Sequence, residues 1–279
     1  MTTSEPRMPI VLSALNVYPV KGLKGIALEE ARCTERGIEH DRRWMVVDAQ
    51  GGFLSQREHP RMATIWTAIE AGRLELSAPD AEPVDVPLRP IEGAPVRATV
   101  WNSECDAIAP SPEADEWLSG RLGLPCRLVY MPDATRRESP PRHLGPGHLV
   151  GFADAFAYLL TGESSLAELN GRLVAKGHAA VPMNRFRPNL VVAGAGPFAE
   201  DGWTDIRIGS ASLRAAKPCG RCQVTTTDQA TGELRGPEPL ATLATYRTRG
   251  DYGITFGVNL VTVETGVVRV GDAVSVVPA

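Results

Sequence analysis

The segment Lys217-Pro218-Cys219-Gly220-Arg221-Cys222 sets two thiols three positions apart among cations. Three kinds of chemistry suit that pattern. A thioredoxin-like redox pair needs its first cysteine at a helix N-terminus, which stabilises the thiolate. The residues that follow, Gln223-Val224-Thr225-Thr226-Thr227, are largely β-branched and predict a strand instead. A structural zinc site takes four ligands, and the chain has no second Cys-x-x-Cys; His143 and His148 sit in a loop and read as solvated. The third reading is a thiolate acting singly, with Lys217, Arg221 and Arg187 favouring its anionic form. Such a sulfur serves as a nucleophile or as ligand to a soft, redox-active metal.

A second group of residues suits an anion. In Arg185-Phe186-Arg187-Pro188-Asn189, Pro188 is expected to hold Arg187 in extended backbone at a strand entry. Arg187 and Asn189, two apart on a strand, would then face one site. A planar guanidinium beside an amide fits a phosphate or a fused heterocycle. Lys21 ends the run Val17-Tyr18-Pro19-Val20-Lys21 beside Gly22, where a backbone can approach a ligand closely. Asp41-Arg42-Arg43-Trp44 and Ser55-Gln56-Arg57-Glu58 add cations at further strand ends. Each alone is an ordinary solvated charge; together they would make a basic rim.

The elements that position these residues read mainly as strands. Residues 10–20 are rich in Val and Leu. Residues 44–48 and 52–55 flank a turn, and 65–71 and 74–77 pair around Gly72-Arg73. Strands are also expected at 190–193, 211–215, 223–227, 259–263 and 267–277. Ser111-Pro112-Glu113 opens a helix that Gly123 would end. Ser165-Leu166-Ala167-Glu168 has the form of a capping box for a helix to about Lys176, and a further helix lies near 239–246. Residues 135–147, rich in Pro, Gly, Arg and His, read as a loop or interdomain linker. The fold class is mixed α/β and β-dominated.

The bulk composition narrows the setting. With 279 residues, 43% hydrophobic and 22% charged, the chain can bury a sizeable core in one or two domains. A net charge of −4 argues against a nucleic-acid or membrane-surface binder, though not against a local basic pocket. Met1 to Arg7 is polar with no export-signal character, and no run reaches the roughly 20 apolar residues of a membrane span. A cytoplasmic location is expected. Cys33, Cys105 and Cys126 are isolated and read as buried thiols.

Five segments occur together in an order that resembles the MOSC proteins, named after the C-terminal domain of molybdenum cofactor sulfurase. They are Val17-Tyr18-Pro19-Val20-Lys21, Asp41-Arg42-Arg43-Trp44-Met45-Val46, Phe186-Arg187-Pro188-Asn189-Leu190, Lys217-Pro218-Cys219-Gly220-Arg221-Cys222 and Phe256-Gly257-Val258-Asn259. Within that family the likeness is to the amidoxime-reducing components. The resemblance implies an N-terminal MOSC β-barrel domain over 9–130 and a MOSC domain, a second barrel with peripheral helices, over 140–279. It implies a molybdenum–molybdopterin cofactor between them, with Cys222 as metal ligand and catalytic residue. Lys21, Arg42, Arg187, Asn189, Arg221 and Asn259 would bind the cofactor. The implied activity is reduction of N-hydroxylated or N-oxide substrates by oxygen-atom transfer. The alternative is a sulfur-carrying or cofactor-handling protein with a persulfide on Cys222. Gly22 stands where the animal reductases have a hydroxyl residue. The chain ends at Ala279 with no room for an iron–sulfur domain, so a separate electron-donor protein is expected.

Overall fold

A computed structural model of the chain describes residues 9–278; the polar Met1 to Arg7 stretch and Ala279 lie outside them. Strands dominate, as expected. An eight-stranded sheet runs in the order Val274–Pro278, Trp203–Ile208, Ala211–Gly220, Thr255–Glu264, Tyr158–Gly162, Leu190–Ala193, Val11–Val17, Ile26–Leu28. A five-stranded sheet runs Ala94–Val100, Ser103–Ala109, Arg127–Tyr130, Trp44–Val47, Val20–Lys21. Two three-stranded sheets complete the set. One joins Gly266–Arg269 to Glu30–Thr34 and Gly37–Ile38; the other is the meander Trp66–Glu70, Arg73–Ala78, Ala81–Pro87.

Early and late parts of the chain share these ladders. Strand Val11–Val17 pairs antiparallel with Leu190–Ala193, Val11 opposite Ala193 and Leu15 opposite Leu190. Strand Glu30–Thr34 pairs with Gly266–Arg269 in the same way. The register follows burial: Leu12, Leu15 and Val17 enter one core with Leu190, Val192, Ile206, Leu213 and Leu260. Strand Trp44–Val47 is buried on both faces. Trp44 and Val46 enter a core with Leu23, Met62, Leu74 and Leu128, whereas Met45 and Val47 enter another with Val129 and Phe152. Side-chain alternation along one strand thus serves two cores.

The strongest local signals are realised. Helix Pro112–Leu122 begins at Ser111, whose hydroxyl accepts the Ala114 N–H at 3.1 Å, and ends at Gly123 with φ 75°. The Trp66–Glu70 and Arg73–Ala78 hairpin forms, but it turns through Ala71 and Gly72, both at positive φ, one residue before the expected Gly72-Arg73. Two further expectations need correction. Ser165 does not cap a helix: helix Glu163–Ala175 starts before it, and its hydroxyl donates to the buried Glu200 carboxylate at 2.8 Å. Residues 223–227 are not a strand. Gln223–Thr226 forms a 3-10 turn because Thr225 and Thr226 hydroxyls bond back to the carbonyls of Cys222 and Gln223 at 3.0 and 2.8 Å. Residues 135–147, read as a loop or interdomain linker, are irregular except for the short helix Pro141–Leu144. Arg137, buried, donates to the carbonyls of Gly151 and Ala153 at 2.6 and 2.7 Å and of Asp154 at 3.0 Å, pinning that stretch to the site.

Candidate functional site

Strand ends and turns from both sequence halves surround a cleft of about 260 Å³. All seven residues singled out in the sequence line it: Lys21, Arg42, Arg187, Asn189, Arg221, Cys222 and Asn259. Strand Ala211–Gly220 carries Lys217 and Cys219 to the rim and delivers Arg221 and Cys222 just past its end. Asn259 belongs to the neighbouring strand Thr255–Glu264, opposite Leu159 on one side and Lys217 on the other. Cys222 is partly exposed and stands at the entry of the 3-10 turn, where Arg57 donates to its Sγ at 3.4 Å.

The lining is strongly cationic. Among the described residues, Lys21, Arg42, Arg57, Arg187, Lys217 and Arg221 face it against a single carboxylate, Asp154. The Lys21 ammonium is buried, lies 2.5 Å from Asp154 Oδ1 and sits 4.9 Å over the Phe53 ring. Burial lowers the Lys21 pKa, and Asp154 offsets part of that. Desolvation works to raise the Asp154 pKa, but Lys21 and the Trp101 indole N–H hold the carboxyl well below the usual carboxylate range. Asp154 is therefore a fixed anion at neutral pH and not a proton reservoir. Burial pushes the Arg187 guanidinium down to about 10, which leaves it charged at neutral pH.

Arg187 does not adopt the extended backbone expected from Pro188. Its φ is 55°, in the left-handed region, and regular strand begins only at Leu190. The preceding 3-10 turn Met183–Arg185 leads the chain into that conformation, with the Arg187 N–H donating to the Asn184 carbonyl at 3.2 Å. The guanidinium lies 4.3 Å over the Tyr18 ring and bonds Gln229 Oε1 at 3.4 Å. Its Nη2 is buried with no hydrogen-bond partner. Such a donor is costly unless something accepts from it.

Asn189 reaches the cleft wall differently. Its Nδ2 donates to the Asn16 carbonyl at 3.2 Å and to Asp41 Oδ1 at 3.0 Å. Its Oδ1 accepts from Arg42 Nη1 and from the Leu159 N–H, both at 3.2 Å. An amide has two donors and two lone pairs, so all of its capacity is spent on protein. Asp41, itself buried, also receives Arg42 Nη1 at 2.5 Å and the Tyr18 N–H at 2.9 Å. Asn189 and Asp41 together fix Arg42. Gly151 is required behind it, since a Cβ there would fall 2.7 Å from the Arg42 carbonyl oxygen.

Other lining groups carried little signal in the sequence. Trp101 reaches the cleft from the tip of the Ala94–Val100 and Ser103–Ala109 hairpin. Gln56 also lines the cleft and exchanges amide hydrogen bonds of 2.8 and 3.3 Å with Gln229, a buried residue of the other sequence half outside the lining. Only long-range pairing brings them together, and no local spacing announces it. Among the described residues, no group of three or more His, Cys, Asp or Glu is placed to hold a metal ion. The arrangement fits a multiply charged anion that also offers a soft metal to one thiol. Six cations face it, two of their buried guanidinium nitrogens (Arg187 Nη2 and Arg221 Nε) lack an acceptor among the described residues, and Cys222 opens onto the same space.

Comparison with known proteins agrees with this chemistry. Residues 10–125 match the MOSC N-terminal beta barrel domain and residues 147–275 match the MOSC domain. The chain is 32% identical to the mitochondrial amidoxime-reducing component 1 of Homo sapiens, over 94% of this chain and 82% of that protein. It is 33% identical to the Mus musculus protein of the same name, over 94% of this chain and 81% of that one. It is also 32% identical to the molybdenum cofactor sulfurase of Solanum lycopersicum, over 89% of this chain but only 33% of that protein.

Proposed function

The chain belongs to the MOSC family, and from that footing we propose that it is a molybdenum-cofactor oxidoreductase reducing N-hydroxylated or N-oxide substrates. One observation carries the reading: the Cys222 thiol shares a cleft with Lys21, Arg42, Arg187 and Arg221, and the Arg187 Nη2 there lacks an acceptor. Cys222 would ligate the metal. The four cations would hold the phosphate and pterin, and the Asn259 amide would complete the heterocycle's hydrogen bonds. When bound, the cofactor supplies two-electron oxygen-atom-transfer chemistry at its metal.

The remaining work falls to the chain's own groups. Asn189 and Asp41 orient the Arg42 guanidinium. Asp154 holds the Lys21 ammonium at 2.5 Å, fixing a positive charge at the wall. Arg221 spans Cys219 Sγ at 3.0 Å and the Phe186 carbonyl at 2.7 Å, which steadies the loop carrying Cys222. Arg57 donates to the Cys222 sulfur at 3.4 Å and so holds its position in the cleft. Phe53, Trp101 and Phe156 line the cleft with apolar surface and limit water there. Electrons would come from a separate donor protein. The two-domain division at 9–130 and 140–279 and a cytoplasmic location belong to the same proposal. No helix among the described residues is long and apolar enough to cross a membrane.

The test is metal and pterin content of protein made in a host with an intact molybdenum-cofactor pathway. Near-stoichiometric molybdenum and pterin are expected, with dye-driven reduction of an amidoxime. Cys222→Ser should abolish activity and the sulfur signature of the metal, and Cys219→Ser should be milder. Purification without molybdenum, or loss of the sulfur ligand in the Cys219 variant alone, refutes the assignment. The similarity to a cofactor sulfurase supports a second reading, in which Cys222 carries a persulfide. Persulfide on Cys222 in a metal-free protein would favour it.

A further inference from the structure

Building on that reading, we propose that Trp101 is the specificity-determining wall of the cleft, selecting substrates with a flat aromatic group beside the N–O function. Trp101 occupies the first of two turn residues between Val100 and Ser103. Its φ is 56°, a conformation suited to Gly, Asn or Asp and unfavourable for a bulky aromatic. The hairpin would turn more easily without it.

Contacts from outside the hairpin hold the side chain in place. The indole Nε1 donates to Asp154 Oδ1 at 3.1 Å, the oxygen that also receives Lys21. The Arg57 guanidinium lies 4.4 Å from the ring centre, and Phe53 meets the ring edge-on at 5.0 Å. The indole nitrogen is used and Arg57 and Phe53 pack against the ring, yet Trp101 remains 45% exposed and lines the cleft. Part of a fixed aromatic surface is therefore left uncovered. Arg57 touches both this ring and the Cys222 sulfur, so a single side chain sets the wall relative to the thiol. A planar group is the complement of such a surface, because offset or edge-on ring contacts add affinity beyond burial. An alkyl group of similar size gains burial alone.

The test is isothermal titration of the cofactor-loaded protein with two probes, an N-hydroxylated arylamidine and an alkyl counterpart of equal charge. The aryl probe should bind about three- to tenfold tighter, the range expected of one aromatic contact. In Trp101→Asn, which suits the left-handed turn, the ratio should fall to near one. Trp101→Gly, better still for positive φ, serves if the Asn protein does not fold. Trp101→Phe, which keeps a ring and loses the N–H, should retain most of the preference. A ratio near one in the unsubstituted protein, or a ratio that survives Trp101→Asn and Trp101→Gly, overturns the proposal. Turnover of both probes with a reduced dye separates the two readings. Reduction of both without any aryl preference leaves the oxidoreductase standing and removes the wall. A Trp101-dependent ratio without reduction supports the wall and removes the oxidoreductase.

Discussion

Asn189→Ala should unfold the site's scaffold rather than merely empty it. The side chain is completely buried and makes four hydrogen bonds, two to the charged groups of Asp41 and Arg42 and two to backbone groups of Asn16 and Leu159. Bonds to charged groups contribute about 1.5–3 kcal/mol and neutral ones about 0.5–1.5 kcal/mol. Asp41 and Arg42 keep each other at 2.5 Å, so the lower ends apply. The loss is then about 4 kcal/mol, a large fraction of the roughly 5–15 kcal/mol that holds a domain folded. Urea denaturation of the unloaded protein gives the comparison directly, since no cofactor complicates the baseline. The midpoint should fall with an unchanged slope. A variant that loses less than about 1 kcal/mol yet fails to take up cofactor would refute the reasoning, because the amide would then be acting on the ligand and not on Arg42.

Four further outcomes follow from the site. Arg187→Ala should lower cofactor affinity about ten- to a hundredfold, with only partial recovery in Arg187→Lys, which lacks the planar fork; undiminished pterin content in the Ala protein would rule this out. Asp154 has a depressed pKa, so its stabilising contribution is full above the ordinary carboxylate range and is lost as pH falls through and below about 4. Asp154→Asn should accordingly give a less stable protein at pH 7 with a shallower acid limb in denaturation, and an unchanged limb would contradict the pairing. Burial pushes Cys33 up to about 11 and also raises Cys105 and Cys126, whereas Cys219 and Cys222 are partly exposed. Alkylation of the unloaded native protein should therefore add two groups by intact mass, five after denaturation, and one fewer than two once cofactor occupies Cys222. Turnover with nicotinamide alone should be absent: the nearest glycine-rich run, Gly194-Ala195-Gly196-Pro197, leads into the 3-10 turn Ala199–Gly202 rather than a nucleotide-binding helix. Steady nicotinamide turnover in a preparation free of reductases would remove the need for a donor protein.

Sequence reading succeeded where the signal is local. Ser111 and Gly123 bound a helix because capping is decided within a few residues, and the Cys219-Gly220-Arg221-Cys222 loop stood out by composition alone. Of the cations expected at strand ends, Lys21, Arg42 and Arg57 converge although nothing local required it, whereas Arg43 turns away to the Met131 carbonyl and Asp133. Misreadings arose where side chains compete with backbone or where distant chain decides. Thr225 and Thr226 have strand-forming shapes, but their hydroxyls found nearby carbonyls first. Ser165 had the spacing of a cap, but a buried Glu200, 35 positions away, claimed its hydroxyl. Arg187 precedes a proline, yet stacking on Tyr18 and a place in the cleft hold it at positive φ. The spent valences of Asn189 depend on Asn16, Asp41 and Leu159, which no sequence window contains.

The shared ladders also set an order of events at the ribosome. Strand Val11–Val17 meets its neighbour Ile26–Leu28 early but emerges roughly 180 residues before its other partner, Leu190–Ala193, and Cys33 waits still longer for Gly266. At about 5–20 residues per second, the first strand remains without this second partner for about 10–40 s. During that interval its Leu12 and Leu15 have no core to enter, and its edge invites pairing with other nascent chains. Lys21 and Arg42 leave the ribosome early and Cys222 late, so the anion cradle and the thiol coexist only once nearly the whole polypeptide has been made. A nascent-chain complex truncated before Leu190 should accordingly be a client for holding chaperones and have no affinity for the cofactor, whereas completed chains should be able to take it up after release.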